Sequence, residues 1–143
     1  MKKVSEVMTS DVKVVRPDES VQKAAAIMSE QDVGALPVCD GTRLKGMITD
    51  RDIAVRAVAS GHGVDTPVRE VMTEEVIWCS EDDDLQDLLK RMGNDQIRRV
   101  PVLDASRNLV GIVALGDLAI ERDPGVDDAL RETLAPRKLS TQR

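Results

Sequence analysis

Apolar residues recur with helical spacing at two places in the chain. Val21, Ala24, Ala25 and Met28 occupy positions i, i+3, i+4 and i+7, and Leu85, Leu88, Leu89 and Met92 repeat that register. Such a stripe predicts an amphipathic helix at each place. After each stripe come a short apolar run, a turn and a second run. Leu36-Pro37-Val38-Cys39 leads through Asp40-Gly41 into Leu44-Lys45-Gly46-Met47-Ile48, and Val100-Pro101-Val102-Leu103 leads through residues 104–108 into Leu109–Val113. Both read as pairs of strands joined by short turns. Pro37 and Pro101 bring no ladder donor and are expected at strand starts or on sheet edges. A second helix is expected from about Asp50, stopping at Gly61, and another from about Gly116. With a strand ahead of each stripe, the predicted unit is strand, helix, strand, strand, helix.

The likeness of the two halves is direct. Displaced by 64 positions, residues 4–41 fall on residues 68–105, and Val4, Glu6, Val7, Met8, Thr9, Val12, Asp18, Gln22, Met28, Pro37, Val38 and Asp40 meet identical residues. Twelve identities in such a window far exceed chance at average residue usage. One inserted residue then sets Leu44, Gly46, Asp52 and Ala54 on Leu109, Gly111, Asp117 and Ala119. The chain is therefore divided into a first repeat at 1–61, a joint at 62–67, a second repeat at 68–125 and a tail at 126–143. A unit this short buries too little apolar surface alone, so the repeats are expected to pack sheet to sheet with pseudo-two-fold symmetry. The fold class expected is mixed α/β (α+β), two tandem β-α-β-β-α units.

Composition narrows the function. The 143 residues carry 26 acidic and 20 basic side chains, a formal net charge of −6. A nucleic-acid surface needs basic charge or stacked aromatics, and Trp78 is the one aromatic residue. No apolar run reaches the length of a membrane span, and the start of the chain has no apolar signal segment, so neither membrane nor nucleic acid is an expected partner. Two cysteines are no disulfide framework, and a reducing cytoplasm is the expected setting.

These motifs resemble a CBS-domain pair, also called a Bateman module. The likeness rests on Val7-Met8-Thr9 and Val71-Met72-Thr73, the two helix stripes, Leu36-Pro37-Val38 and Val100-Pro101-Val102. Gly46-Met47-Ile48-Thr49-Asp50-Arg51-Asp52 and Gly111-Ile112-Val113 complete it. It covers residues 1–125. Thr49–Val55 and Ile97–Val102 add a similarity to small stand-alone bacterial two-CBS proteins of the hypoxic or stress-response type. The resemblance implies a regulatory protein, not an enzyme, that binds an adenine nucleotide (AMP, ADP or ATP) or related adenosyl ligand between the repeats. It also implies a homodimer that signals through its own pairing or through an unidentified protein partner. No obligatory cofactor is implied. A second reading is a ligand-free dimeric scaffold or stress-response protein acting by protein contact.

An adenine nucleotide needs an apolar slot, a carboxylate for the ribose diol and donors for its phosphates. Thr49-x-x-Asp52 matches the family's ribose-binding pattern at the start of the second helix, and it equally matches a helix capping box. In the family, the ligand held by one repeat's aspartate is also touched by the other repeat just before its Pro-containing strand. That implies Arg98 and Arg99 beside Thr49 and Asp52. The opposite cleft has Gly34 and Ala35 where the arginines would be. It carries Asp117, but Ala114 replaces the hydroxyl of Thr49, so it is expected to be the weaker site. Ile77 and Ile97, with Val12, Val14, Val33 and Val76, can wall the base slot, although ordinary core positions are the simpler reading for most of them. Arg51 is read as a surface residue.

The remaining candidates are weaker. His62, Cys39 and Cys79 match no zinc spacing, so no metal site is expected, and both cysteines read as small core residues. No nucleophile with a matching base is visible. Glu81-Asp82-Asp83-Asp84 stands where a helix begins, with Ser80-x-x-Asp83 as its expected cap. In the tail, Val126–Leu134 is expected to form a short helix with Ala129, Leu130 and Leu134 on one side. Pro136 would end it, and Arg137–Arg143 is expected to be disordered.

Overall fold

The computed structural model describes residues 2–121 and 125–134. It divides into two compact bodies. The first holds Asp11–Ile77 and Ser106–Leu109; the second holds residues 2–10, Trp78–Ala105 and the described residues from Val110 onward.

In the first body, α1 (Val21–Gln31) opens on Ser20, whose side chain accepts the Lys23 amide at 3.1 Å. Its stripe buries Val21, Ala24 and Met28. β1 (Ala35–Asp40) and β2 (Arg43–Thr49) form the expected antiparallel hairpin, in register from Ala35 opposite Thr49 to Asp40 opposite Arg43. Gly41 makes the turn at φ +62°, a conformation that favours glycine. The leading strand of this repeat shrinks to one parallel bridge, Val15 against Val38. α2 (Asp50–Asp52) runs straight into a π-helical stretch, Ile53–Val58. There the Ala59 and His62 amides reach back five residues, to Ala54 and Ala57, each at 2.9 Å. The wider turn was not visible in the apolar spacing. The helical stretch ends at Val58, and the turn after it closes at Gly61 with φ +80°.

In the second body, β3 (Cys79–Ser80) precedes α3 (Leu85–Asn94), which buries Leu85, Leu88, Leu89 and Met92. β4 (Arg99–Leu103) lies between β3 and β5 (Leu109–Ala114). α4 (Leu115–Glu121) follows, and α5 (Val126–Leu134) adds Val126 and Ala129 to the core that α3 lines. The tail helix thus belongs to the body of the second repeat. Pro136 and Arg137–Arg143 lie outside the described residues.

Two sequence expectations are corrected. Pro37, third in β1, lies on a strand of a two-stranded sheet and so at an edge, as expected; Pro101, third in its strand, instead sits on the central strand of three. Position 37 tolerates proline because its carbonyl accepts the Val15 amide, so its nitrogen faces that same side, where pairing only begins at Val15. In the second sheet, pairing begins likewise at Val102, one residue beyond Pro101. The cap of α3 is also displaced. Asp84 accepts the Gln86 amide at 3.3 Å, while Asp83 accepts the Ser80 amide at 2.9 Å inside the preceding turn.

The bodies do not coincide with the repeats, because each repeat gives its leading segment to the other's body. The Val71-Met72-Thr73 segment closes the first body: Thr73 and Met47 exchange backbone hydrogen bonds at 2.8 and 2.9 Å. The Val7-Met8-Thr9 segment closes the second, where Thr9 and Ile112 exchange bonds at the same two lengths. Val68 and Val4, fully buried, anchor these segments, with their amides on the carbonyls of Glu19 and Asp83. Full burial of such a side chain is worth about 1.5–3 kcal/mol.

This exchange needs glycine on the receiving strand. A Cβ on Gly46 would collide with the Thr73 carbonyl oxygen, and one on Gly111 would lie 2.7 Å from Met8 Sδ and 2.8 Å from the Thr9 oxygen. Gly116, in α4, has open space around it. Gly46→Ala and Gly111→Ala are expected to lose about 1–3 kcal/mol each in urea unfolding. Gly116→Ala should be neutral or slightly stabilising. Equal effects at all three positions would refute the close approach.

Candidate functional site

The last residue of β2 and the first turn of α2 build a reciprocally bonded polar pair around a buried carboxylate. Thr49 has extended backbone, and its hydroxyl oxygen accepts the Asp52 amide at 3.0 Å. Asp52 Oδ2 accepts the Thr49 amide at 3.0 Å in return. The capping box is therefore real, yet it occupies only one carboxylate oxygen. Asp52 is 5 % exposed, the one buried charged residue among those described. Its second oxygen, Oδ1, faces Arg56 Nε at 3.8 Å, an ion pair too long for a hydrogen bond. Oδ1 thus receives no hydrogen bond among the described residues. A buried charge is costly unless paired and hydrogen-bonded, so this oxygen can take a donor.

Arg56 was missed in the sequence, although its i,i+4 spacing from Asp52 is a recognisable signal. Its Nη1 also donates to the carbonyls of Met72 at 3.1 Å and Val71 at 3.4 Å. Arg51 is exposed, as expected, with its amide on Asp50 Oδ1 at 2.8 Å.

The other expected residues divide between the bodies. Ile77, Gly34 and Ala35 accompany Thr49 and Asp52 in the first body; Ile97, Arg98, Arg99 and Asp117 belong to the second. Arg98 and Arg99 lead into and open β4, both exposed, and neither has a side-chain partner among the described residues. The two helix starts share one backbone bond: Asp50 donates to Gly34 at 2.9 Å, and Leu115 donates to Arg98 at 2.8 Å. They differ in side chains. Asp117 is exposed, and Ala114 offers it no hydroxyl, so the buried carboxylate is particular to the first repeat. The core reading of the valine and isoleucine set is corrected as well. Val14, at 36 %, and Ile77, at 37 %, are exposed, and Val12, Val33, Val76 and Ile97 are half-buried. Val33 and Ile97 pack against the two cores without joining them.

Cys39 and Cys79 are buried free thiols, as expected of small core residues. Burial pushes Cys39 up to about 11. Burial also pushes Cys79 up to about 12, helped by the Asp83 charge and opposed by Arg91. No described helix is long and apolar enough to cross a membrane.

Comparison with known proteins agrees with this layout. The family model described as CBS domain matches residues 4–58 and again 68–122. The CBS domain-containing protein YhcV of Bacillus subtilis is 47 % identical over 122 residues, covering 85 % of this chain and 86 % of YhcV. Hypoxic response protein 1 of Mycobacterium tuberculosis is 39 % identical over 116 residues, covering 80 % of each. The crystal structure of CBSX2 in complex with AMP superposes with a TM-score of 0.74 at 28 % identity, covering 85 % of this chain and all of CBSX2.

The raised thiols set a pH dependence. Unfolded thiols ionise near 9, while the folded ones keep their protons to about 11 and 12. Their contribution to stability is full below pH 9 and is lost as pH rises toward those values. Urea unfolding between pH 8 and 10.5 should therefore show a steeper fall for the wild type than for Cys79→Ala. Parallel curves would contradict the burial of this thiol.

Proposed function

Since the chain belongs to the CBS-domain family, we propose that it is a regulatory protein that senses an adenine nucleotide or a related adenosyl compound, without catalysis. The observation that carries this reading is the unanswered oxygen of Asp52. Asp52 is buried, its Oδ1 has no hydrogen-bond donor among the described residues, and a ribose diol supplies neutral hydroxyl donors of the required kind. The capping box keeps the carboxylate in place before any ligand arrives, which lowers the ordering cost of binding. The AMP carried by CBSX2 supports an adenosyl ligand.

In this reading Arg98 and Arg99 serve the phosphates, for which exposed guanidinium groups are suited by charge and fork geometry. Ile77 and Ile97 flank the base. The Asp117 side, with Gly34 and Ala35, is the poorer site, since it offers neither a capped buried carboxylate nor arginines. The protein would act as a cytoplasmic homodimer whose pairing or partner contacts respond to the ligand. The ligand shifts that balance only by its different affinity for the two states.

Thermal unfolding with AMP, ADP, ATP, NAD and S-adenosylmethionine tests the reading. At about 100 times its dissociation constant, a ligand that binds only the folded chain adds about 2.7 kcal/mol of stability. At least one adenosyl compound should raise the midpoint of the wild type by several degrees. Asp52→Ala should abolish that rise, and Arg98→Ala with Arg99→Ala should weaken it for phosphorylated ligands only. No rise with any compound would refute the sensing role and favour a ligand-free scaffold.

A further inference from the structure

Arg56 answers the charge of Asp52 without using up its free oxygen. At 3.8 Å the guanidinium Nε compensates Oδ1 electrostatically, yet leaves that oxygen open to a hydrogen-bond donor. What Oδ1 lacks is therefore a donor and not a cation. The guanidinium is itself held in place by the carbonyls of Met72 and Val71, at 3.1 and 3.4 Å. Those carbonyls belong to the leading segment that Thr73 pins to Met47. Asp52 is thus held at both oxygens: the Thr49 amide donates to Oδ2, and Arg56 faces Oδ1.

We propose that Arg56 is a positioning and specificity-determining residue, which orients and neutralises the Asp52 carboxylate so that Oδ1 selects ligands carrying free ribose hydroxyls. The inference rests on the reading of Asp52 as the sugar-binding carboxylate. It adds a residue outside the Thr49-x-x-Asp52 pattern. It also ties sugar selection to the segment donated by the second repeat.

Calorimetric titration of the full chain tests it, using AMP and ATP, each against its 2′,3′-dideoxy analogue. Hydrogen bonds to a charged group are worth about 1.5–3 kcal/mol, so the wild type should prefer each hydroxylated form by about tenfold or more. Arg56→Gln is polar but removes the charge facing Oδ1, and it should cut the preference at least about fivefold. Arg56→Met, which retains the apolar stem, should do the same and serves if the glutamine variant does not fold. Arg56→Lys restores the charge and should keep most of the preference. A general loss of structure would weaken both members of a ligand pair alike and leave their ratio unchanged. An unchanged ratio in the Gln and Met variants, with the wild type binding normally, overturns this inference alone. Failure of the wild type to bind AMP, ATP or any other adenosyl compound of the unfolding panel overturns the sensing role and this inference with it.

Discussion

A carboxylate withdrawn from water must have its charge answered, and at Asp52 the answer is incomplete. One oxygen is satisfied by the Thr49 amide, and the other is faced by Arg56 beyond hydrogen-bond distance. Desolvation makes such an arrangement expensive, by several kcal/mol for an ion left wholly unpaired. The capping box and the ion pair offset part of that cost and hold the group rigid. The remaining hydrogen-bonding capacity of Oδ1 is what a ligand can use.

The exchange of leading segments makes this arrangement possible. Met47 lies two residues before Thr49, and its backbone is tied to Thr73. The carbonyls just before Thr73 receive Arg56. The end of β2, the start of α2 and the donated segment therefore share one set of contacts within the first body. The second body repeats the backbone scheme at Ile112 and Thr9 but lacks the polar part, since Ala114 stands where Thr49 does. Equal backbones with unequal side chains leave the capped, buried carboxylate in the first repeat alone among the described residues.

Much of this was legible before any coordinates. Helix stripes buried on one face, the Asp40-Gly41 turn and the Thr49-x-x-Asp52 cap are short-range features, and local spacing encodes them. The exchange is not local. Nothing in the period of residues 1–10 says which sheet they join, and only the glycines at 46 and 111 mark where another backbone comes close. The π-helical widening at Ile53–Val58 leaves no trace in apolar spacing. Pro101 was misplaced because a proline normally argues against a central strand, and the rule does not see where a neighbour's pairing begins. The valines beside the cores were misplaced because hydrophobicity alone does not separate a filled core from its rim. Arg56 is legible only through its i,i+4 spacing from Asp52, whereas the paired Arg98 and Arg99 carry the stronger signal for a phosphate.

The most direct measurement is an NMR titration of isotopically labelled protein with AMP, following backbone amides. The Thr49 amide donates to Asp52 Oδ2, beside the proposed binding oxygen, and the Asp52 amide is held by the Thr49 hydroxyl, so both should report occupancy. Expected are saturating shifts at Thr49 and Asp52, with Gly116 and Asp117 scarcely moved. Shifts centred on Asp117, with Thr49 and Asp52 unmoved, would contradict the assignment of the sugar site to the first repeat.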